Sequence, residues 1–249
     1  MSAPAWLVAR PIAHRGLHDL AGGRPENTLA AAEAAMAGRF AIECDIQLSA
    51  DGEAMVFHDG ELGRLTVETG PVRGRSATRL AGLVVAGTAE RIPTLTGFLD
   101  RIAGRTPLVV EVKSRFDGDE RLARRLVEIL DGRDAPVAVK SFDPTVVALL
   151  RRIAPHLPRG IVAQSRYEEG EWLRLDPSRR REMANLLHWP ETEPDFLSWR
   201  GQDLPDGPPF LARTLAGAPV MAWTVRDPAE AGRLSAHADQ IVFEGFLPA

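Results

Sequence analysis

Short apolar, β-branched runs alternate along the chain with stretches whose apolar positions recur at helical period. The runs predict strands at residues 11–14, 40–45, 107–112, 136–141, 159–163, 195–199, 219–224 and 240–244. Between them the helical pattern covers residues 28–37, 94–103, 119–130, 144–153, 178–187, 210–215 and 228–235, with the sixth stretch short. Asn27 or Thr28 suits the cap of the first helix, and Pro144, Pro177 and Pro228 suit first-turn positions. Strand–helix alternation of this kind predicts a parallel sheet, and eight such strands favour an α/β fold of the (β/α)8 TIM-barrel type. A doubly wound open sheet is the competing arrangement.

Residues 48–93 break the alternation. They are too long for a simple crossover, and residues 53–58 read as an extra strand after the Asp51-Gly52 turn. The Gly-rich remainder, 60–87, reads as an excursion over one face, so residues 48–93 form a small insertion after the second strand within a single domain spanning 1–249. Residues 190–209, rich in Pro, Asp and Gly, read as loop around a short strand.

Composition adds mainly exclusions. A formal charge of −4 leaves no basic excess of the kind a general nucleic-acid binder needs. No apolar run approaches the roughly 18 residues of a transmembrane helix, and the N-terminus lacks a signal-peptide pattern, so a soluble cytoplasmic protein is expected. Cys44 is the single cysteine, which rules out an intramolecular disulfide.

The candidate chemistry gathers where apolar runs end. Glu43 and Asp45, two residues apart in a strand, project to the same side while Cys44 points away. Paired carboxylates repel, and a hard divalent cation such as Mg²⁺ or Ca²⁺ relieves the repulsion; a polar strand end reaching solvent is the plainer explanation. Glu111 and Lys113 repeat the spacing on the next barrel strand, either as a third metal carboxylate beside a phosphate-binding cation or as an internal ion pair. His14 is followed by Arg15 and Gly16, where arginine can grip phosphate and glycine permits close backbone approach. His58 is followed by Asp59. One histidine could deprotonate a nucleophile while the other protonates a leaving alkoxide. Trp223, with Phe142, offers either a substrate wall or packing at the barrel rim. His18 falls in a loop, and His156, His188 and His237 read as structural or exposed, as does the Arg179–Arg181 run.

Taken in order, H-R-G, P-E-N-T, E-x-D, H-D, E-x-K, S-F and W-T-V resemble the glycerophosphodiester phosphodiesterase family, from about residue 10 onward. The resemblance implies a metal-dependent (β/α)8 barrel that cleaves glycerophosphodiesters, as small-molecule substrates, into sn-glycerol 3-phosphate and an alcohol. It assigns Glu43, Asp45 and Glu111 to one divalent cation, Mg²⁺ or Ca²⁺ with Mn²⁺ as a further candidate. His14 and His58 become the acid–base pair, Arg15 and Lys113 hold phosphate, and Trp223 lines the pocket with Phe142. The chain departs from the family where Arg226 follows W-T-V in place of a common Asn. It departs again at Phe243-Glu244-Gly245, where a Thr-Asp pair is common. Two other functions compete. A lysophospholipase D would use the same residues and needs an apolar channel, for which Leu83, Val84 and Val85 are candidates. A non-catalytic barrel that binds phosphoryl ligands predicts loss of a site residue, and none is lost.

Overall fold

A computed structural model describes residues 3–248. The chain has the (β/α)8 barrel fold, not the open doubly wound sheet. It groups into two compact units, residues 12–139 and residues 140–248 with the segment up to Pro11.

The first unit holds β1 (Ile12–Ala13), α1 (Leu29–Ala37), β2 (Ala41–Leu48), β3 (Ala54–Val56), α2 (Ala77–Ala81), α3 (Leu95–Ile102), β4 (Leu108–Val112) and α4 (Arg121–Leu130). Two helix starts follow from hydroxyl caps: Thr28 accepts from the Ala31 N–H and Thr94 from the Gly97 N–H. β2 runs parallel to β1 and to β4, with Asp45 opposite Glu111. It continues to Leu48, three residues past the apolar run that marks it in the sequence, because Ile46–Leu48 pair antiparallel with β3. The Glu43–Asp45 pair is therefore mid-strand and not at a strand end.

Residues 48–93 are more ordered than a Gly-rich excursion. Phe57, Leu62, Leu65, Leu80, Leu83 and Val85 bury one another in a small core of their own, and α2, capped by Ser76, lies within the stretch. Of the three residues named for a lipid channel, Leu83 and Val85 are buried in this packing and Val84 is half-buried. At Gly16 (φ +80°) a Cβ would lie 2.8 Å from the Ala31 backbone carbon, so this glycine serves the approach of the first loop to α1.

β5 (Val137–Ser141) carries the chain into the second unit, which holds α5 (Pro144–Ile153), β6 (Arg159–Ala163), α6 (Pro177–Ala184), α7 (Trp189–Thr192), β7 (Phe196–Arg200), α8 (Gly207–Leu215), β8 (Val220–Val225), α9 (Pro228–Leu234) and β9 (Gln240–Phe243). β6 to β9 pair in parallel in chain order. Asp143, Asp176, Asp206 and Asp227 cap four helices whose first turns carry proline, where no N–H is needed, while α7, with Pro190 in its first turn, follows His188 without a side-chain cap. That chemistry also corrects the expected loop at 190–209. Asp206 starts α8 three residues before Phe210, and one helical turn, α7, precedes β7. Among the described residues no helix is long and apolar enough to cross a membrane.

Candidate active site

The first unit brings nearly all of the predicted polar residues together. Strand alternation on β2 turns Glu43 and Asp45 the same way, and the β2–β4 register sets Glu111 beside Asp45. One oxygen from each of the three carboxylates lies within 4.8 Å of the others, and all three residues are buried. Cys44 is buried as well, and the period of the strand points it to the opposite side.

Two cations face this cluster. Lys113 Nζ lies 2.8 Å from Asp45 Oδ1 and 2.5 Å from Glu111 Oε1. Burial alone would lower the Lys113 pKa, but the fields of Asp45 and Glu111 outweigh it and hold the ammonium charged well above its usual range. Arg15 Nη1 lies 2.6 Å from Glu26 Oε1 and its Nε 3.4 Å from Asp45 Oδ2. The Arg15 backbone N–H donates to Glu43 Oε2 at 3.1 Å, from a residue in the left-handed region (φ +55°). Asp45 feels burial as a penalty, yet Lys113, His58, Arg15 and His14, in that order, hold its carboxyl well below the usual carboxylate range.

His58 follows β3, and its carbonyl accepts from Gln47 Nε2 at 2.8 Å. Its ring Nδ1 lies 2.6 Å from Asp59 Oδ1. Burial opposes ionisation of Asp59, but hydrogen bonds from His58 and Arg64 hold it ionised, far below its ordinary pKa. An ionised Asp59 accepts a hydrogen bond from Nδ1–H, so in the neutral ring Nε2 is left as a lone-pair acceptor. His14 follows β1 and is half-buried.

Three participants here escaped the sequence reading. Asn27 donates from Nδ2 to Asp45 Oδ2 (2.9 Å) and accepts from the Asp45 N–H (3.1 Å), while Thr28 takes the helix cap. Glu26 joins Arg15 to Arg64, which lies in the excursion. The P-E-N-T fragment was the available signal for the first two; Arg64 had none.

Trp223 and Phe142 belong to the second unit. Phe142 stands between two tryptophans, 5.5 Å from the Trp223 ring centroid and 4.9 Å from that of Trp172. Trp223 is pinned by its Nε1–H to the Ser198 carbonyl at 2.8 Å. It lines, with Trp172, Arg166, Arg200 and Arg226, a cavity of about 960 Å³ near the ends of β6, β7 and β8. Trp172 was not anticipated, because its segment carries no helical or strand period.

The donor set near Glu43 suits a hard cation: three carboxylates supply oxygen ligands alone, the preference of Mg²⁺ and Ca²⁺. Comparison with known proteins agrees with that chemistry. A sequence model of the Glycerophosphoryl diester phosphodiesterase family matches residues 14–242. A putative glycerophosphodiester phosphodiesterase of Bacillus subtilis, YhdW, is 28% identical over 90% of this chain and 89% of its own. A glycerophosphodiester phosphodiesterase of Caldanaerobacter subterraneus subsp. tengcongensis is 33% identical over 61% of this chain and 66% of its own. Among solved structures, an Oleispira antarctica phosphodiesterase in complex with the product sn-glycerol-3-phosphate superposes with a TM-score of 0.79. It is 25% identical and covers 97% of this chain and 94% of that one.

Proposed function

The chain belongs to the glycerophosphoryl diester phosphodiesterase family and is a phosphoric diester hydrolase; on that premise we propose that it cleaves small glycerophosphodiesters, with one divalent cation, into sn-glycerol 3-phosphate and an alcohol. The observation that carries this reading is the convergence of Glu43, Asp45 and Glu111 on one point with Lys113 and Arg15 alongside.

Glu43, Asp45 and Glu111 would hold the cation, which supplies Lewis-acid polarisation of a phosphoryl oxygen when bound. Arg15 offers a planar donor fork to the other phosphoryl oxygens, and Lys113 a point charge. These positive groups lie fixed before the reaction, so charge that develops on the phosphoryl oxygens meets donors already oriented. His58, with Nδ1–H engaged by Asp59, accepts at Nε2 a proton from the attacking water, whose oxygen becomes the new phosphate oxygen as the bond to the alcohol breaks. His14 delivers a proton to the departing alkoxide. Trp223 and Phe142 keep the substrate-contacting role that the family resemblance gives them, and the alcohol portion of the substrate is a small head group. An acyl chain is disfavoured because Leu83 and Val85 are buried in the excursion's own core.

The test is a product-resolved screen of glycerophosphocholine, glycerophosphoethanolamine and lysophosphatidylcholine under Mg²⁺, Ca²⁺ and Mn²⁺, with and without EDTA. The expected result is release of sn-glycerol 3-phosphate from the two soluble diesters, abolished by EDTA and restored by a cation. Lysolipid turnover should be lower by about a hundredfold or more. Activity that survives chelation, or a preference for the lysolipid, overturns the reading.

A further inference from the structure

Arg64 lies in the excursion, where no catalytic role was anticipated, yet its guanidinium joins two functional side chains. Its Nε lies 2.5 Å from Asp59 Oδ2, and Nη2 reaches Asp59 Oδ1 at 3.1 Å. On the other side, Nη1 meets Glu26 Oε2 at 2.8 Å and Nη2 meets Glu26 Oε1 at 2.7 Å. Each carboxylate passes the contact on: Asp59 to the ring of His58, Glu26 to the guanidinium of Arg15, and Arg15 to Asp45. From His58 through Asp59, Arg64 and Glu26 to Arg15 the chain of contacts alternates donors and acceptors, and an ion pair at 3.4 Å extends it from Arg15 to Asp45.

We propose that Arg64 is a positioning residue for the hydrolysis: by clamping Asp59 and Glu26 together it fixes the His58 tautomer and the orientation of Arg15. The proposal rests on the roles given above to those two residues. Three physical points support it. Asp59 and Glu26, both held by one guanidinium, would repel without a cation between them. A planar fork can serve two carboxylates at once, which the single ammonium of a lysine serves poorly. Finally, Arg64 is held in place by its neighbours, since Leu62 and Leu65 are buried in the excursion's core. The folding of residues 48–93 is thereby coupled to the geometry of the proton-transfer group.

A guanidinium that is 46% exposed contributes little to global stability through its ion pairs. That separates positioning from a purely structural role. In the full-length protein, Arg64→Ala should lower kcat on glycerophosphocholine by about 30- to 100-fold through the loss of the His58 tautomer and raise KM by about three- to tenfold, because the Glu26 that orients the phosphate-binding Arg15 loses its second anchor. The melting temperature should move by less than about 3 °C. Arg64→Lys should stay close to Arg64→Ala, and added guanidinium ion should restore part of the lost rate to the alanine variant alone. Asp59→Asn should be impaired to a similar extent, and the double variant should be no worse than the poorer single one by more than about twofold.

The second readout does not depend on activity. In protein carrying ¹⁵N-histidine, with His58 assigned through His58→Gln, the Nδ1–H tautomer should dominate in the wild type and lose its dominance in Arg64→Ala. Additive losses in the double variant, wild-type turnover in Arg64→Lys, or an unchanged His58 tautomer would each overturn the proposal. A wild-type protein inactive on every glycerophosphodiester would defeat the functional reading instead, and the tautomer measurement would still decide whether Arg64 positions His58.

Discussion

Two buried charge clusters in this molecule have different designs. On β2 and β4, three buried carboxylates face Lys113 and Arg15, and Asp45 alone draws on Lys113, Arg15 and Asn27. At the starts of β6 and β7, Arg159 meets one carboxylate: its N–H donates to Asp195 Oδ2 at 3.0 Å and its Nη1 lies 3.7 Å from the same oxygen. The remaining guanidinium contacts go to the backbone carbonyls of Thr192, Glu193 and Pro155. The first cluster lies mid-strand on β2 and near the C-terminal end of β4, the second at N-terminal ends, where barrels place stabilising contacts and not chemistry. Burial of charge is common to both. What distinguishes the candidate active site is several like charges converging on one point with shared cations, an arrangement that a ligand cation could complete.

The comparison breaks most visibly at Glu43. Glu43→Gln keeps an oxygen for the Arg15 N–H but removes one of the three anionic ligands. Turnover should fall by about 10³-fold, some 4 kcal/mol of barrier, while chemical denaturation without metal shifts by less than about 1 kcal/mol. The wild type should also gain thermal stability on adding Mg²⁺ or Ca²⁺, and the variant should lose that gain. A variant that unfolds readily and keeps its metal response would make the first cluster a structural one like the second.

Arg159→Met tests the reverse. It leaves the Asp195 carboxylate buried without its cation, so urea denaturation should show a loss of about 3 kcal/mol, with kcat of the folded protein unchanged within about twofold. Adding Asp195→Leu should recover part of the loss, because an apolar pair removes the uncompensated charge. A drop in kcat without a drop in stability would assign this cluster to chemistry after all.

The sequence displays the first cluster well and the second hardly at all, for a physical reason. Glu43 and Asp45 stand out because strand alternation is local, and Glu111 stands out because a charge interrupts an apolar strand. Asn27 looked like a helix cap since its composition suits one; only the fold reveals that Thr28 caps and that Asn27, at φ +56°, turns to Asp45. Arg64 and Glu26 are 38 residues apart, and a polar contact of that span leaves no periodic trace. The length of β2 was likewise set by its antiparallel partner β3, outside the reach of local pattern. Most of the strand and helix order was legible; one-turn elements such as α2 and α7 were not, because five or four residues carry too little periodicity.

The smallest effect separates the histidines of the two units. His58 has an ionised carboxylate at Nδ1, whereas His188, buried just before α7, has the Thr192 hydroxyl at 3.2 Å there. Burial pushes the His188 pKa down from 6.5 to about 4, with Glu182 and Arg179 pulling in opposite directions. The unfolded chain therefore binds a proton near pH 6.5 that the folded chain refuses until about pH 4. Between those values the unfolded state carries more protons, so stability rises with pH. The contribution is full above pH 6.5 and is lost as pH falls toward 4. Going from about pH 7 to about pH 5 should cost about 2 kcal/mol from this residue alone. Other groups titrate over the same interval, so the quantity to measure is the difference between wild type and His188→Gln in urea denaturation at the two pH values. The variant should lack that share of the acid sensitivity and keep the wild-type kcat at neutral pH. Equal acid sensitivity in both proteins would mean that His188 is charged in the fold, and the contrast with His58 would then rest on position alone.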